Sequence, residues 1–367
     1  MTASYKHYGW HLSFFSGKTR SYLLYKGVPF EDVKVNLKTM TSVIPRETGA
    51  RTMPVVETPD GKWLQDTAVI IDYFESVFPE NPVVPSDPVL KFASKLFEAW
   101  IGEWWIPIAM HTRWTYPENH AAFAKEAGDN LLPYFPRFIK NKAFAKIAKK
   151  LQGYLPIVGV IPEQHQMMND WTFALLDMFE KHFGAHRYLL GARPTLMDFS
   201  LMGPLYGHLG RDQWPAREMI APRPHVRHWI DDMAAPGDQT IDVGIEETLP
   251  ETLSPIFQVI FNEFVPMIQQ IAGQVAERSQ GMVPGEMFER RMSPITISMG
   301  DAAFTCGATP FSLWMVQRLM DDFSAMSEMD QQAVKKWVSS FSGDAIFDVR
   351  VPRLERQGLF VALAPVA

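Results

Sequence analysis

Ser13-Phe14-Phe15-Ser16-Gly17-Lys18-Thr19-Arg20-Ser21-Tyr22-Leu23-Leu24-Tyr25-Lys26-Gly27 decides how the rest of the chain is read. Its leading serine has the form of a helix N-cap, apolar residues fill the interior, and Gly27 followed by Val28-Pro29 closes it. The mouth of a helix presents unpaired N–H groups and a partial positive charge, so a hydroxyl there is placed to meet an anionic sulfur or oxygen. Ser13 is the first candidate for chemistry on that ground. Its plain alternative is a structural cap worth about 1 kcal/mol.

The flanking segments alternate short strands and helices. Residues 4–8 read as a strand before the helix and 31–35 as a second strand, parallel to the first by a crossover. Residues 38–49 read as a further helix or irregular turn. Residues 53–58 and 62–64 flank Pro59-Asp60-Gly61, a hairpin turn, and Asp66-Thr67 cap a helix running through Phe74. The order βαβαββα is that of a thioredoxin-like unit, here without redox cysteines. Proline-rich residues 79–88 form a linker. From 89 to 235 the apolar period turns helical, in runs over 90–110, 169–183 and 196–209. Thr195-Leu196-Met197-Asp198 has the capping-box form, with Asp in place of the usual Glu. Pro236-Gly237-Asp238 marks a break, after which a mostly helical extension, 236–367, carries helices over 254–279, 311–323 and 328–341 and a tail, 360–363, that reads as a strand or docked arm. The fold class is therefore α+β followed by all-α: residues 1–85 thioredoxin-like, 89–235 helical, then the extension.

Composition narrows the function. A chain of 367 residues with 47% apolar and 21% charged residues is that of an ordinary globular protein, and a net charge of -6 argues against a polyanion partner. Its single cysteine, Cys306, excludes disulfide frameworks and Cys-x-x-Cys chemistry and reads as an inert packed thiol. The N-terminus lacks a leader pattern and no apolar run reaches the roughly 20 residues of a membrane span, so a cytoplasmic location is expected. No His, Asp or Glu cluster has metal-ligand spacing, so no metal is expected. The basic residues from Arg137 to Lys150 read as a solvated helix face, with no nucleic-acid or membrane partner.

Four segments together resemble the cytosolic glutathione transferases: Ser13 to Gly27, Met53-Pro54-Val55-Val56, Gln65-Asp66-Thr67-Ala68-Val69-Ile70, and Leu190-Gly191-Ala192-Arg193-Pro194-Thr195-Leu196-Met197-Asp198-Phe199. The first is similar to the omega, tau and zeta classes. The resemblance spans roughly residues 4–235 and implies glutathione as co-substrate, a hydrophobic electrophile and a homodimer. It implies that Ser13 hydrogen-bonds the glutathione sulfur and favours the thiolate, since a thiol of pKa near 8.5 is mostly protonated at neutral pH. Ser16 and Tyr8 compete for that role. Met53 would offer its backbone to the cysteinyl part beside Pro54, taken as cis. Asp66 and Thr67 would hold the γ-glutamyl end, and Arg51, or else Lys38, the glycyl carboxylate. Phe15, Trp105, His111 and Trp114 would line the electrophile pocket, the last three on one aromatic-rich helix that also carries Trp100, Trp104 and Met110. The alternative is a non-catalytic binding or scaffold protein on the same fold. Asp66-Thr67 departs from the family's Glu-Ser, Phe14 from its Pro, and the extension from its length.

Overall fold

A computed structural model describes residues 4–191, 193–236 and 248–365. The break expected at Pro236-Gly237-Asp238 runs into undescribed residues. Strand β1 (Tyr5–Gly9) pairs in parallel with β2 (Phe30–Lys34) and antiparallel with β3 (Val55–Glu57), which pairs with β4 (Trp63–Gln65), giving the order β2-β1-β3-β4. Between β1 and β2 runs α1 (Phe14–Tyr25), closed as read: Gly27 adopts φ 62° and Val28 N–H returns to Leu23 C=O at 3.1 Å. A π-turn leads into α2 (Ile44–Thr48), and α3 (Thr67–Val77) follows β4. His7, beneath the sheet, ties β1 to Thr19 on α1 and to Asp32 on β2, each at 2.8 Å.

The helical residues comprise α4 (Pro88–Trp104), α5 (Ile106–Trp114), α6 (Glu118–Leu131), α7 (Arg137–Gln152), α8 (His165–Ala185), α9 (Leu196–Pro204), a short α10 (Gln213–Pro215) and α11 (Pro224–Ala234). The single helix expected to carry Trp100 through Trp114 is two, because Pro107 has no N–H to donate and its ring collides with the carbonyl four residues back. The capping box at α9 is formed: Asp198 Oδ2 accepts from Thr195 N–H at 2.9 Å, while Oδ1 accepts from Leu189 N–H at 2.9 Å and Trp229 Nε1 at 3.1 Å.

The extension holds α12 (Ser254–Val259), α13 (Val265–Ser279), α14 (Phe311–Ser324) and α15 (Glu328–Ser339), close to the expected spans. It also holds two hairpins, β5 (Pro294–Met299) with β6 (Ala302–Gly307) and β7 (Leu354–Gln357) with β8 (Phe360–Leu363), so its tail is a strand. One apolar cluster runs without interruption from Tyr5 through the helices to Val361. Where the extension docks on α4, the Phe92 ring meets Phe323 at 5.9 Å, Phe347 at 6.1 Å and Trp337 at 6.3 Å. Lys95 pairs with Asp322, and Trp171 Nε1 donates to Glu263 at 2.8 Å.

Phe92→Ala deletes the ring that three extension aromatics share. Urea unfolding of the full chain is expected to lose about 3–5 kcal/mol, the cost of a large aromatic core truncation. A loss below about 1 kcal/mol would mean that the extension docks without this contact.

Candidate functional site

A cavity of about 190 Å³ lies where the three parts of the chain meet. The N-terminal part contributes Phe15 and Lys18 from α1, Thr52-Met53-Pro54 before β3, and Gln65-Asp66-Thr67 at the β4 to α3 junction. From the helices come Ile101, Glu103, Trp104, Ile106 and Pro107. The extension closes it with Met267, Ile271, Arg291, Ser312 and Met315, and with Arg356 and Gly358 of the last hairpin. That hairpin sits tightly on the N-terminal part, since a Cβ at Gly358 would lie 3.2 Å from Ala50 Cβ.

The Met53–Pro54 peptide is cis. The β1–β3 ladder ends at Tyr8–Val55, so the Met53 backbone lies beyond it. Asp66 caps α3 through Oδ1, accepting from Ala68 N–H at 2.9 Å and Val69 N–H at 3.4 Å, in a backbone of φ 79° that a non-glycine residue rarely adopts. Burial raises its pKa, and the charges of Arg356, Arg318 and Lys18 oppose that rise. Thr67 opens on the cavity beside it.

Charge along the cavity wall is partly compensated. Lys18 Nζ donates to Glu98 Oε1 at 2.6 Å, both groups being buried. Burial raises the Glu98 pKa, but Lys18 and Arg318 outweigh it and the net direction is down. Glu103 accepts from Ser312 Oγ at 2.6 Å, and burial pushes its pKa up to about 7 against that hydrogen bond and Arg291. Arg291 has no carboxylate within ion-pair distance among the described residues; it donates to Thr309, and burial followed by the neighbouring Arg290 lowers its pKa. Cys306 also lines the cavity, where burial pushes its thiol up to about 12.

Of the residues singled out in the sequence, Phe15, Met53, Pro54, Asp66 and Thr67 meet at this cavity. Ser13 is the N-cap of α1: its Oγ accepts from Ser16 N–H at 3.3 Å, and it lies one residue before the cavity wall at Phe14 and Phe15. Its competitors are committed elsewhere. Tyr8 donates to Glu57 at 2.7 Å and stacks on Trp63, while Ser16 is buried with its Oγ facing Trp10 N–H. Arg51 and Lys38 are exposed and off the cavity, where Lys18, Arg290, Arg291 and Arg356 supply the positive charge.

Trp105, His111 and Trp114, expected to line the electrophile pocket, do not line this cavity. Trp104 and Ile106 line it instead. Trp105 packs on Trp171 at 5.4 Å, and Trp114 on Phe123 at 5.3 Å. His111 bridges Thr115 and Asn169, each at 2.9 Å. Lys18 lay within the decisive stretch, one turn after the cap, whereas Glu103 and Arg356 carried no local motif.

Residues 8–82 match the family model of the glutathione S-transferase N-terminal domain. Over that segment the chain is similar to the glutathione S-transferases. It is similar to glutathione S-transferase U2 of Arabidopsis thaliana, 29% identical over 176 residues, which are 48% of this chain and 76% of that one. It is also similar to glutathione S-transferase U7 of the same plant, 24% identical over 147 residues, 40% of this chain and 63% of that one. Among solved structures, the beta-etherase LigF from Sphingobium sp. strain SYK-6 aligns over 64% of this chain and 97% of its own, at 19% identity and a TM-score of 0.46. A Tau class glutathione S-transferase from mango aligns over 71% and 100%, at 16% identity and a TM-score of 0.40.

Burial, the largest influence, holds the His111 pKa down to about 4 against the Asn169 hydrogen bond. In the unfolded chain the ring takes its proton near pH 6.5, so His111 lowers stability as pH falls from there to about 4. The stability difference between wild type and His111→Gln, from urea unfolding, is therefore expected to shrink by about 2 kcal/mol between pH 6.5 and 5. A difference flat with pH would mean that the folded ring titrates normally.

Proposed function

We propose that the chain is a glutathione-dependent transferase whose cavity joins the glutathione sulfur to an apolar electrophile. The observation that carries this reading is the convergence, on one cavity, of Met53-Pro54, Asp66-Thr67 and the first turn of α1 with an apolar wall. The Met53 backbone, outside the sheet ladder, pairs with the cysteinyl peptide. Asp66 receives the γ-glutamyl ammonium, while the Thr67 hydroxyl and the cation of Arg356 receive the γ-glutamyl carboxylate. The thiol end points to the α1 N-terminus. There Phe14 and Phe15 N–H groups have no carbonyl within the helix to bond, and Ser13 adds a hydroxyl. Together they favour the thiolate. Sulfur then attacks an electrophilic carbon by addition, by displacement of a leaving group, or by reversible addition that ends in isomerisation.

The electrophile contacts Phe15, Ile101, Trp104 and Ile106 on one side and Met267, Ile271 and Met315 of the extension on the other. A carboxyl group poised near neutrality, Glu103, stands beside them to exchange a proton with substrate. The resemblance that supports this reading also implies a cytoplasmic homodimer, which light scattering of the purified chain tests.

Glutathione at 100 times its Kd is expected to stabilise the chain by about 2.7 kcal/mol, visible as a raised Tm. Absence of any shift, with no retention on a glutathione column, would overturn the reading in favour of a scaffold. Ser13→Ala, at unchanged fold, is expected to raise the apparent pKa of the bound thiol by about 1–2, the worth of one hydrogen bond to a charged group. Thiolate absorbance against pH reads this directly. An unchanged pKa would leave the thiolate to the helix N–H groups alone.

A further inference from the structure

We propose that the α6–α7 hairpin is an arm that docks the protein on the surface of an anionic phospholipid bilayer. At its tip Tyr134 is 96% exposed, Phe138 73% and Phe135 50%, values that belong to a convex projection. Between Asn130 and Pro162 the sequence holds no Asp or Glu, yet six basic residues, Arg137, Lys140, Lys142, Lys146, Lys149 and Lys150, in a chain of net charge -6.

The helix α7 divides these groups cleanly. Its inner face is already used: Phe144 is buried with its ring 5.2 Å from Phe123 of α6, and Lys140 reaches Asp129 at 2.7 Å. Arg137 joins the same carboxylate at 2.6 Å. The outer face carries Phe138, Lys142, Lys146 and Lys149, spaced at helical period and all exposed. None of these lysines, nor Lys150, has an ion-pair partner among the described residues. One stripe thus runs from an aromatic tip into unpaired positive charge.

An interfacial helix displays this arrangement, with aromatic rings at the headgroup boundary and lysines toward anionic lipid. Tyrosine suits that depth, since its ring prefers the apolar side and its hydroxyl the wet side. A single-stranded nucleic acid would instead need a groove with stacking platforms along it, and the rings sit on a projecting tip. No described helix is long and apolar enough to cross a membrane, so the contact is with the surface.

Vesicle co-sedimentation of the full chain tests this, with phosphatidylcholine vesicles that do or do not contain phosphatidylserine. Wild type is expected to sediment with the anionic vesicles, to stay in solution with the neutral ones, and to be released as salt shortens the Debye length below about 8 Å. Each lysine near the surface contributes about fivefold. The variant Lys142→Glu/Lys146→Glu/Lys149→Glu is therefore expected to bind anionic vesicles more than tenfold more weakly, and Tyr134→Ser/Phe138→Ser to lose binding as well. All five positions are exposed, so Tm and glutathione retention are expected to stay at wild-type values and report on the cavity separately. The proposal is overturned if wild type ignores anionic vesicles or binds both kinds equally. It is also overturned if the lysine variant binds as wild type does, or if the chain binds a single-stranded oligonucleotide or self-associates through the tip while leaving vesicles alone.

Discussion

The guanidinium of Arg113 holds the parts of this protein in register. Buried at the end of α5, it donates through Nε to Asp212 at 2.8 Å, through Nη1 to Leu12 C=O at 2.7 Å and through Nη2 to Gly207 C=O at 2.5 Å, and lies 4.5 Å over the Phe123 ring. His208 completes the set. Its Nδ1 faces Ala109 C=O at 3.0 Å and so carries the proton, which leaves Nε2 to accept from Arg113; burial, then Arg113, hold this ring neutral. A charge taken from water is tolerated only when its donors are matched, and here they join Leu12, before α1, to Gly207, His208 and Asp212, after α9. Leu12 precedes Ser13. The start of α1 is therefore fixed against the helical part by a group whose geometry admits little slack, and with it one wall of the cavity.

The extension supplies the far wall of that cavity. Phe92 on α4 and the Glu263 carboxylate, which accepts from Trp171 Nε1 and from Gly300 N–H, each at 2.8 Å, attach it to the helices. Ser312 and Arg356 then reach Glu103 and Gln65, so the wall opposite the N-terminal motifs comes from residues far away in sequence. Burial has an electrostatic effect. It pushes the Glu103 carboxyl up to about 7, while Glu98, on the preceding turn, is held down by the Lys18 that touches it.

The N-terminal fold was legible because it is written in local signals: the Ser13 cap and Gly27 stop, the Pro59-Asp60-Gly61 turn, the Asp66 cap. The helices of the extension showed in apolar period. Its first hairpin was equally written, with Ile295, Ile297 and Met299 alternating with Thr296 and Ser298 before Gly300-Asp301, but the helical reading of the extension passed over that period of two. Pro107 likewise announced the break between α4 and α5. Arg356 was of another kind. It acts at Gln65 and Asp66 only because the chain folds back across 291 positions, and no window of sequence contains both ends. Arg51 and Lys38, taken from the resemblance for the glycyl carboxylate, both stand in solvent.

Asp66 separates the functional reading of the N-terminal motifs from the plain one. Were it only a helix cap, a relaxed backbone would serve, as other side-chain caps show: Ser13 works at φ -94°, Asp87 at -60° and Ser327 at -61°. Asp66 does the same work at φ 79°, a conformation that costs an aspartate on the order of 1–3 kcal/mol. Capping does not require that cost, and glycine would avoid it at the loss of the carboxylate. What distinguishes Asp66 from the relaxed caps is its position on the cavity, between Gln65 and Thr67 and under the field of Arg356, Arg318 and Lys18. Strain kept where a cavity, a carboxylate and three cations converge supports the proposed role of Asp66 in holding the ligand ammonium.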